Sequence, residues 1–553
     1  MSYIQNKIKT FKIFNNNKNQ TSPWLNIFNN SEEFLSKFQR PNINKKIICA
    51  TNVGGHGAVT PIDSIVAISL WLRGADVKML LCDKALSACE AAMFHMFPNK
   101  NTFLKNGTSH LCGNCFKSGL DYYSPLHFET LKLSSYHNLE DLVYANSLVK
   151  DFSIQDCFRY QDDGVDIGEQ VRAGVLRFFG KATFEDEDPT YVREVSKQYL
   201  IAGIITAICI RNLIIEHNPN TIVSHHGVYI PQGVVGEVAR RNSVDVTNWA
   251  PSYRNTTVIY SHGDTYHHTF MDESTNYWDK VPLNSLQEYQ LMDYLNKRRV
   301  GMGDWSWVTP DRGGILVEEH KKMIDELKLD DSKPIFGLLT NVLWDAQLFY
   351  NGIAFSNMLD WLFFTIDHFI MDQSKQLVIR IHPHEVKIGN RQPTIKEIDK
   401  RYKVLPHNIK IILHDSPYST YALMDLCKVV LIYGTKTGVE LAPYGKPIVV
   451  AGDAWIRNKG ISIDITSVDE YLEILNKITE IPPLTKTKIE RAKQYAYHYF
   501  FKRMIPLKSL DPNASFPPKI AISNLEALLP GNDKGLDVIC DGILNKTPFI
   551  YNP

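Results

Sequence analysis

A chain of 553 residues is too long for one hydrophobic core, so two domains with extensions are expected. Hydrophobic residues at 44% and charged residues at 22% are ordinary for a globular chain, and 60 Lys+Arg against 60 Asp+Glu leave no net field to draw nucleic acid. Residues 1–40 are polar with no apolar signal core, and nine cysteines without an export signal imply a reducing compartment, so a cytoplasmic chain is expected, with peripheral association at the inner membrane face left open.

After a polar extension (1–44), residues 47–51 read as a buried strand and Asn52-Val53-Gly54-Gly55-His56-Gly57 as a glycine-rich turn. Thr60 and Pro61 suit the N-cap and first position of a helix, the apolar spacing from Ile62 to Leu70 sustains it, and Gly74 ends it. A second strand at 77–81 completes a βαβ unit, which requires a parallel sheet. Residues 191–217 read as a long helix stopped by Pro219; its apolar run 200–215 is short for a membrane span and contains Arg211, so burial is expected. Strands at 221–224, 244–247 and 257–260 complete a first domain over 45–268. Residues 269–332 read as a connecting and inserted segment. A second alternation fills 333–482, with strands at 335–339, 377–381, 409–413, 429–432 and 448–450 and helices near 352–371, 418–426 and 437–443. A helix at 486–503 and a Pro- and Asn-rich tail make up 483–553. Open parallel sheets bind ligands at the carboxyl ends of their strands, and the motifs fall there.

Gly434, Thr435, Lys436, Thr437 and Gly438 sit where a helix begins after a strand, and its unpaired N–H groups suit a phosphate. Glu440, one turn on, suits ribose hydroxyls, so a nucleotide-activated sugar is the implied ligand. In Arg380-Ile381-His382-Pro383 the imidazole follows a strand and can donate to a departing phosphate. Arg457 and Lys459 suit a phosphate or an acidic sugar, against the plainer reading of a solvated turn. In the first domain Gly54 and Gly55 admit close approach, and His56 is a candidate base for an acceptor hydroxyl. Asp163, in Asp162-Asp163-Gly164, is a second candidate base that competes with a turn role. His225 and His226, and with them His262 and Asp264, follow strands and are expected on the acceptor side, with no standard zinc spacing. Cys82, Cys89, Cys112 and Cys115 are either separate buried thiols or the ligands of a structural zinc, an iron–sulfur cluster being a third option.

The stretch 433–463, with Gly-Thr-Lys-Thr-Gly-Val-Glu-Leu-Ala, Gly-Lys-Pro-Ile-Val-Val-Ala-Gly and Arg-Asn-Lys-Gly-Ile-Ser, resembles bacterial capsular polysaccharide biosynthesis glycosyltransferases. His382-Pro383 and the segment 339–345 (Leu-Thr-Asn-Val-Leu-Trp-Asp) share the resemblance, which extends distantly to Kdo- and sialyltransferases; it is loose over 45–480 and specific at 377–463. It implies an α/β chain of GT-B type, two Rossmann-like domains facing a central cleft, with the tail crossing back to the first. It further implies a CMP- or UDP-sugar donor held by the second domain (Asn341, Arg380, His382, Pro383, Gly434 to Gly438, Glu440, Arg457, Lys459), no catalytic metal, and a surface polysaccharide or glycolipid acceptor. Thr435 and Thr437 stand where those distant relatives carry paired serines, which leaves the donor base open. A nucleotide-sugar 2-epimerase, a polyol-phosphate transferase and a non-catalytic sugar-nucleotide-binding or glycan-binding subunit are the alternatives.

Overall fold

The computed structural model describes residues 22–97, 99–305, 320–345, 352–386, 389–514 and 516–553. The first 21 residues of the expected N-terminal extension and residues 306–319 of the expected connecting segment lie outside the described residues. The chain divides into two compact units, one of residues 1–269 with 503–553 and the other of residues 270–502.

Unit 1 is built on β1 (Lys46–Asn52), which is buried except at Lys46 because sheet neighbours flank it on both sides and helices cover its faces. After it come β2 (Asp76–Leu81), β3 (Thr130–Lys132), the two-stranded hairpin β4 (Gln161–Asp162) and β5 (Val165–Asp166), β6 (Thr221–His225), β7 (Asp245–Pro251) and β8 (Thr257–His262). The sheet runs β3-β2-β1-β6-β7-β8, and the tail strand Ile505–Pro506 adds antiparallel beyond β8. β8 is itself antiparallel to β7; the other pairings among the six are parallel. The helix Val59–Leu72 covers the sheet and is buried at every residue but Trp71. It starts one residue before Thr60, and Pro61 falls in its first turn, where an absent N–H breaks no helical bond. Gly74 follows at φ 97°, a conformation open to glycine. The helix Pro189–His217 is long and apolar enough to cross a bilayer by length and composition, yet 67% of its apolar window is buried inside unit 1. Asn218, left-handed at φ 46°, ends it.

Unit 2 carries β9 (Ile335–Leu339), β10 (Gln376–Arg380), β11 (Ile409–Ile412), β12 (Val429–Ile432), β13 (Ile448–Val450) and β14 (Ile463–Asp464), all parallel, in the order β11-β10-β9-β12-β13-β14. Each sheet thus places its third, second and first strands on one side and its later strands on the other, the doubly wound Rossmann order. The chain reverses its winding between β1 and β6 in unit 1 and between β9 and β12 in unit 2, and ligands of such sheets sit outside the carboxyl ends at that point.

The segment read as connecting, 269–332, belongs to unit 2 from Phe270 onward. There Asp279 pairs with Arg491, Glu288 with Lys493 and Glu273 with His498, fixing it to the helix Lys486–Tyr497 and the π-helical turn after it. From Arg503 onward the tail belongs to unit 1, so the expected break at 483 falls instead at 503.

Candidate functional site

At the switch point of unit 2, three neighbouring strand ends are tied together by side chains. The Gly434 N–H, after β12, donates to Asn341 Oδ1, after β9, at 3.1 Å. The His382 N–H, after β10, donates to Thr340 Oγ1 at 2.9 Å. The His384 N–H donates to His382 Nδ1 at 3.1 Å, so the neutral ring carries its proton on Nε2. Pro383 opens the short turn Pro383–Val386 that makes this bond. Thr435 and Thr437 hydroxyls lie 3.0 Å apart, and the Thr437 N–H donates to Thr435 Oγ1 at 3.3 Å. The helix they open, Thr437–Leu441, has only five residues before a 3-10 turn, so its dipole is small and hydroxyls and loop N–H groups must do the donating. Gly438 serves packing: a Cβ there would lie 2.9 Å from Ile432 Cδ1.

Five residues expected at the donor have other partners. Glu440 is 1% exposed and bound by Arg298 at 3.0 Å, Lys436 at 2.6 Å and Tyr421 at 2.6 Å. Burial opposes its charge, but Arg298 and Lys436 outweigh it and hold the carboxyl below its usual range. Its oxygens join the helix Ser285–Arg299 to the helix Thr437–Leu441 rather than facing a ribose. Lys436 is spent on the same carboxylate. Arg380 is buried, with Nε 3.3 Å from Thr420 Oγ1 and an N–H on the Leu413 carbonyl. Arg457 donates to the Val450 and Ile465 carbonyls, bracing β13 against the segment after β14. Lys459 donates to the Met271 and Glu273 carbonyls, and burial lowers its pKa to about 8. Long cationic side chains beside strand ends found carbonyls within the unit before any phosphate.

At the switch point of unit 1, the turn after β1 meets the end of β6. The His56 ring lies 5.2 Å from that of His225, His225 is 5.4 Å from His226, and His226 is 6.1 Å from His267. Burial, then Arg177 and His226, lower the His56 pKa to about 4, and burial drives His225 and His267 well below the usual imidazole range, so these three rings are neutral at physiological pH. The register sets Ser224 opposite Asn248. The Ser224 hydroxyl, the Asn248 amide and His225 Nδ1 are buried without a hydrogen-bond partner among the described residues. Buried polar atoms of this kind call for a partner. Glu90, which sequence reasoning passed over, is buried in the same unit: it accepts from Gln232 Nε2 at 2.9 Å, and burial raises its pKa to about 7. A lone acid inside Ala88-Cys89-Glu90-Ala91-Ala92 was the signal for it.

The remaining first-domain candidates separate from this cluster. Asp163 is exposed at the tip of the β4–β5 hairpin, where φ values of 51° and 74° at Asp163 and Gly164 make a tight turn. Its turn role therefore stands in place of the base. Because β8 runs antiparallel, His262 is in register with Thr247 near the start of β7, away from the carboxyl ends. It meets the Thr547 carbonyl at 2.9 Å and stacks on Phe549. Asp264 pairs with His268 at 2.8 Å. The glycines of the turn after β1 admit protein, not ligand. A Cβ on Gly54 would lie 2.8 Å from Gly119 Cα, and one on Gly55 would lie 3.1 Å from Cys115 Cα, so both seat the helix Ser109–Tyr123.

Cys82, Cys89, Cys112 and Cys115 are all free thiols and line one cavity of ≈ 30 Å³. Among the described residues no group of three or more His, Cys, Asp or Glu is placed to hold a single metal ion.

No protein-family model matches the chain, and no curated protein does. Among solved structures it is similar to a β-Kdo 2,4-transferase, KpsC, of Thermosulfurimonas dismutans, at 10% identity over 50% of this chain and 79% of that one, with a TM-score of 0.33. It is also similar to the sucrose-phosphate synthase of Thermosynechococcus elongatus, at 10% identity, 83% and 95% coverage and a TM-score of 0.27. A UDP-GlcNAc 2-epimerase from Neisseria meningitidis matches at 11% identity, 82% and 95% coverage and a TM-score of 0.24. Likenesses this distant carry no argument about chemistry; the chain is an α/β protein of two Rossmann-like units.

Proposed function

We propose that the chain is a glycosyltransferase moving a sugar from a nucleotide-activated donor, a CMP- or UDP-sugar, to a surface polysaccharide or glycolipid. The switch point of unit 2 supports this most. There Asn341, after β9, fixes the Gly434 loop, and the Nε2–H of His382 and the hydroxyls of Thr435 and Thr437 stand at the ends of β10 and β12 on either side of it. Donors fixed by the protein itself suit the charge that grows on a leaving phosphate, because no reorganisation is needed as the bond breaks. In this reading the acceptor oxygen bonds to the anomeric carbon as the bond from that carbon to the phosphate oxygen breaks. His56, unprotonated at physiological pH because burial lowers its pKa to about 4, takes the acceptor proton as the acceptor oxygen attacks. Charge on the phosphate falls to His382, Thr435 and Thr437 rather than to a metal.

Titration of the full chain with CMP, UDP and GDP, followed by thermal shift, tests the reading. One nucleotide should raise the melting temperature by mass action. His382→Ala should weaken that nucleotide by about 10- to 100-fold, the worth of one hydrogen bond to a charged group. Stabilisation by none of the three, or equal affinity in His382→Ala and Thr435→Ala, removes the site.

A further inference from the structure

The two glycines after β1 press against a helix, and the reason lies in what that helix carries. Cys112 and Cys115 are three residues apart on the helix Ser109–Tyr123 and so share one face. Cys82 immediately follows β2, and Cys89 lies on the connection after it. The cavity they line is otherwise walled by apolar side chains such as Val53, Leu86, Leu111 and Pro231. Backbone N–H groups turn toward the sulfurs. Gly55 donates to Cys115 Sγ at 3.2 Å, the amides of Lys84 and Ala85 face Cys82, and that of Ala91 faces Cys89. A neutral thiol is a poor acceptor and has little use for several amides; a thiolate has. Lys84 supplies a cation: its Nζ would lie 3.8 Å from a Cβ on Gly113, and it favours the charged form of Cys112.

One ion and a cluster ask for different spacings of four sulfurs. Zinc at about 2.3 Å from each sulfur draws the four to roughly 3.8 Å of one another. These residues are not placed to hold one ion, yet they ring one cavity. In a cubane cluster each thiolate binds a different iron, so the sulfurs stand apart around the inorganic core. We propose that unit 1 binds a [4Fe–4S] cluster through Cys82, Cys89, Cys112 and Cys115, held between the end of β2, the glycine turn after β1 and the helix Ser109–Tyr123. Of the three readings the sequence left open for these cysteines, this is the cluster. It is independent of the transferase reading, because its readout is metal and sulfide.

The full chain, reconstituted without oxygen from ferrous iron and sulfide, should hold about four iron and four acid-labile sulfide atoms. It should show broad visible charge-transfer absorption. The double variant Cys112→Ala/Cys115→Ala should lose iron, sulfide and colour. Cys157→Ala and Cys209→Ala, which change buried cysteines outside the cavity, should keep them. Should the double variant prove insoluble, wild-type chain stripped of iron by ferricyanide and chelator should melt lower and recover on reconstitution. One zinc per chain without sulfide, no bound metal, or a cluster that survives in the double variant overturns the proposal. A melting temperature indifferent to stripping overturns it too.

Discussion

Glu440 accepts from Arg298 and Lys436 on one carboxylate oxygen and from Tyr421 on the other, all within the interior of unit 2. Removing Glu440 takes a carboxylate from two buried cations at once, although Arg298 keeps its pair with Asp304. Glu440→Ala should therefore destabilise unit 2 by about 3–5 kcal/mol in urea unfolding. A residue that only held a ribose would cost nucleotide affinity and leave the unfolding midpoint in place. Arg298 lies far upstream in a segment that reads as a connector, so no local pattern in Thr437 to Leu441 hinted at this pairing. Glu90 is a second case of a buried acid. Its folded pKa is raised to about 7 from an ordinary 4.5, so the native state binds a proton that the unfolded chain has released. Its contribution is therefore present below the unfolded value and is lost as pH rises from about 4.5 to about 7. Glu90→Gln should remove that decline, a difference on the order of 2–3 kcal/mol between the ends of the window, read as the change in unfolding free energy against wild type at each pH.

Among elements, the turn after β1 and the helix Ser109–Tyr123 meet with no room for a side chain. A Cβ on Gly54 would sit 2.8 Å from Gly119 Cα and 2.9 Å from the Cys115 carbonyl oxygen, both backbone atoms that cannot rotate away. Gly54→Ala should cost about 1–3 kcal/mol or more, seen as a lower melting temperature, because the helix must shift bodily. The strands themselves were plain in the sequence: β9, β12 and β13 fall where their apolar runs lie, since strands buried on both faces are continuous Val, Ile and Leu between turn residues. The sense of β8 was not. A buried strand reads the same in either direction, and only its pairing with β7 shows that His262 lies away from the carboxyl edge. Likewise Asp163-Gly164 carries the sequence of a tight hairpin turn, and the neighbouring acid made it look like chemistry. The placement of Asn341, His382, Thr435 and Thr437 at the carboxyl ends of β9, β10 and β12 was legible because they follow those strands closely. The burial of Arg380, Arg457 and Lys459 was not, because it depends on which carbonyls come near.

At the scale of the whole molecule, unit 1 is assembled from two stretches separated by all of unit 2. The tail adds a strand beside β8 and the helix Lys534–Asn545, whose Leu536, Ile539, Cys540, Ile543 and Leu544 are buried. Arg73 holds Asp537 on that helix. Burial of five such side chains contributes on the order of 10 kcal/mol, as much as the net stability of an ordinary domain. Truncation after Lys502 should therefore leave unit 1 open to protease, while residues 270–502 expressed alone should stay resistant; limited proteolysis of both fragments decides it. The same discontinuity governs synthesis. At about 5–20 residues per second, a ribosome spends on the order of ten to fifty seconds on the middle of this chain while the amino-terminal stretch of unit 1 waits, nascent and lacking the strand Ile505–Pro506. Such a delay favours chaperone occupancy of the amino-terminal half and makes the final fifty or so codons the step that commits it.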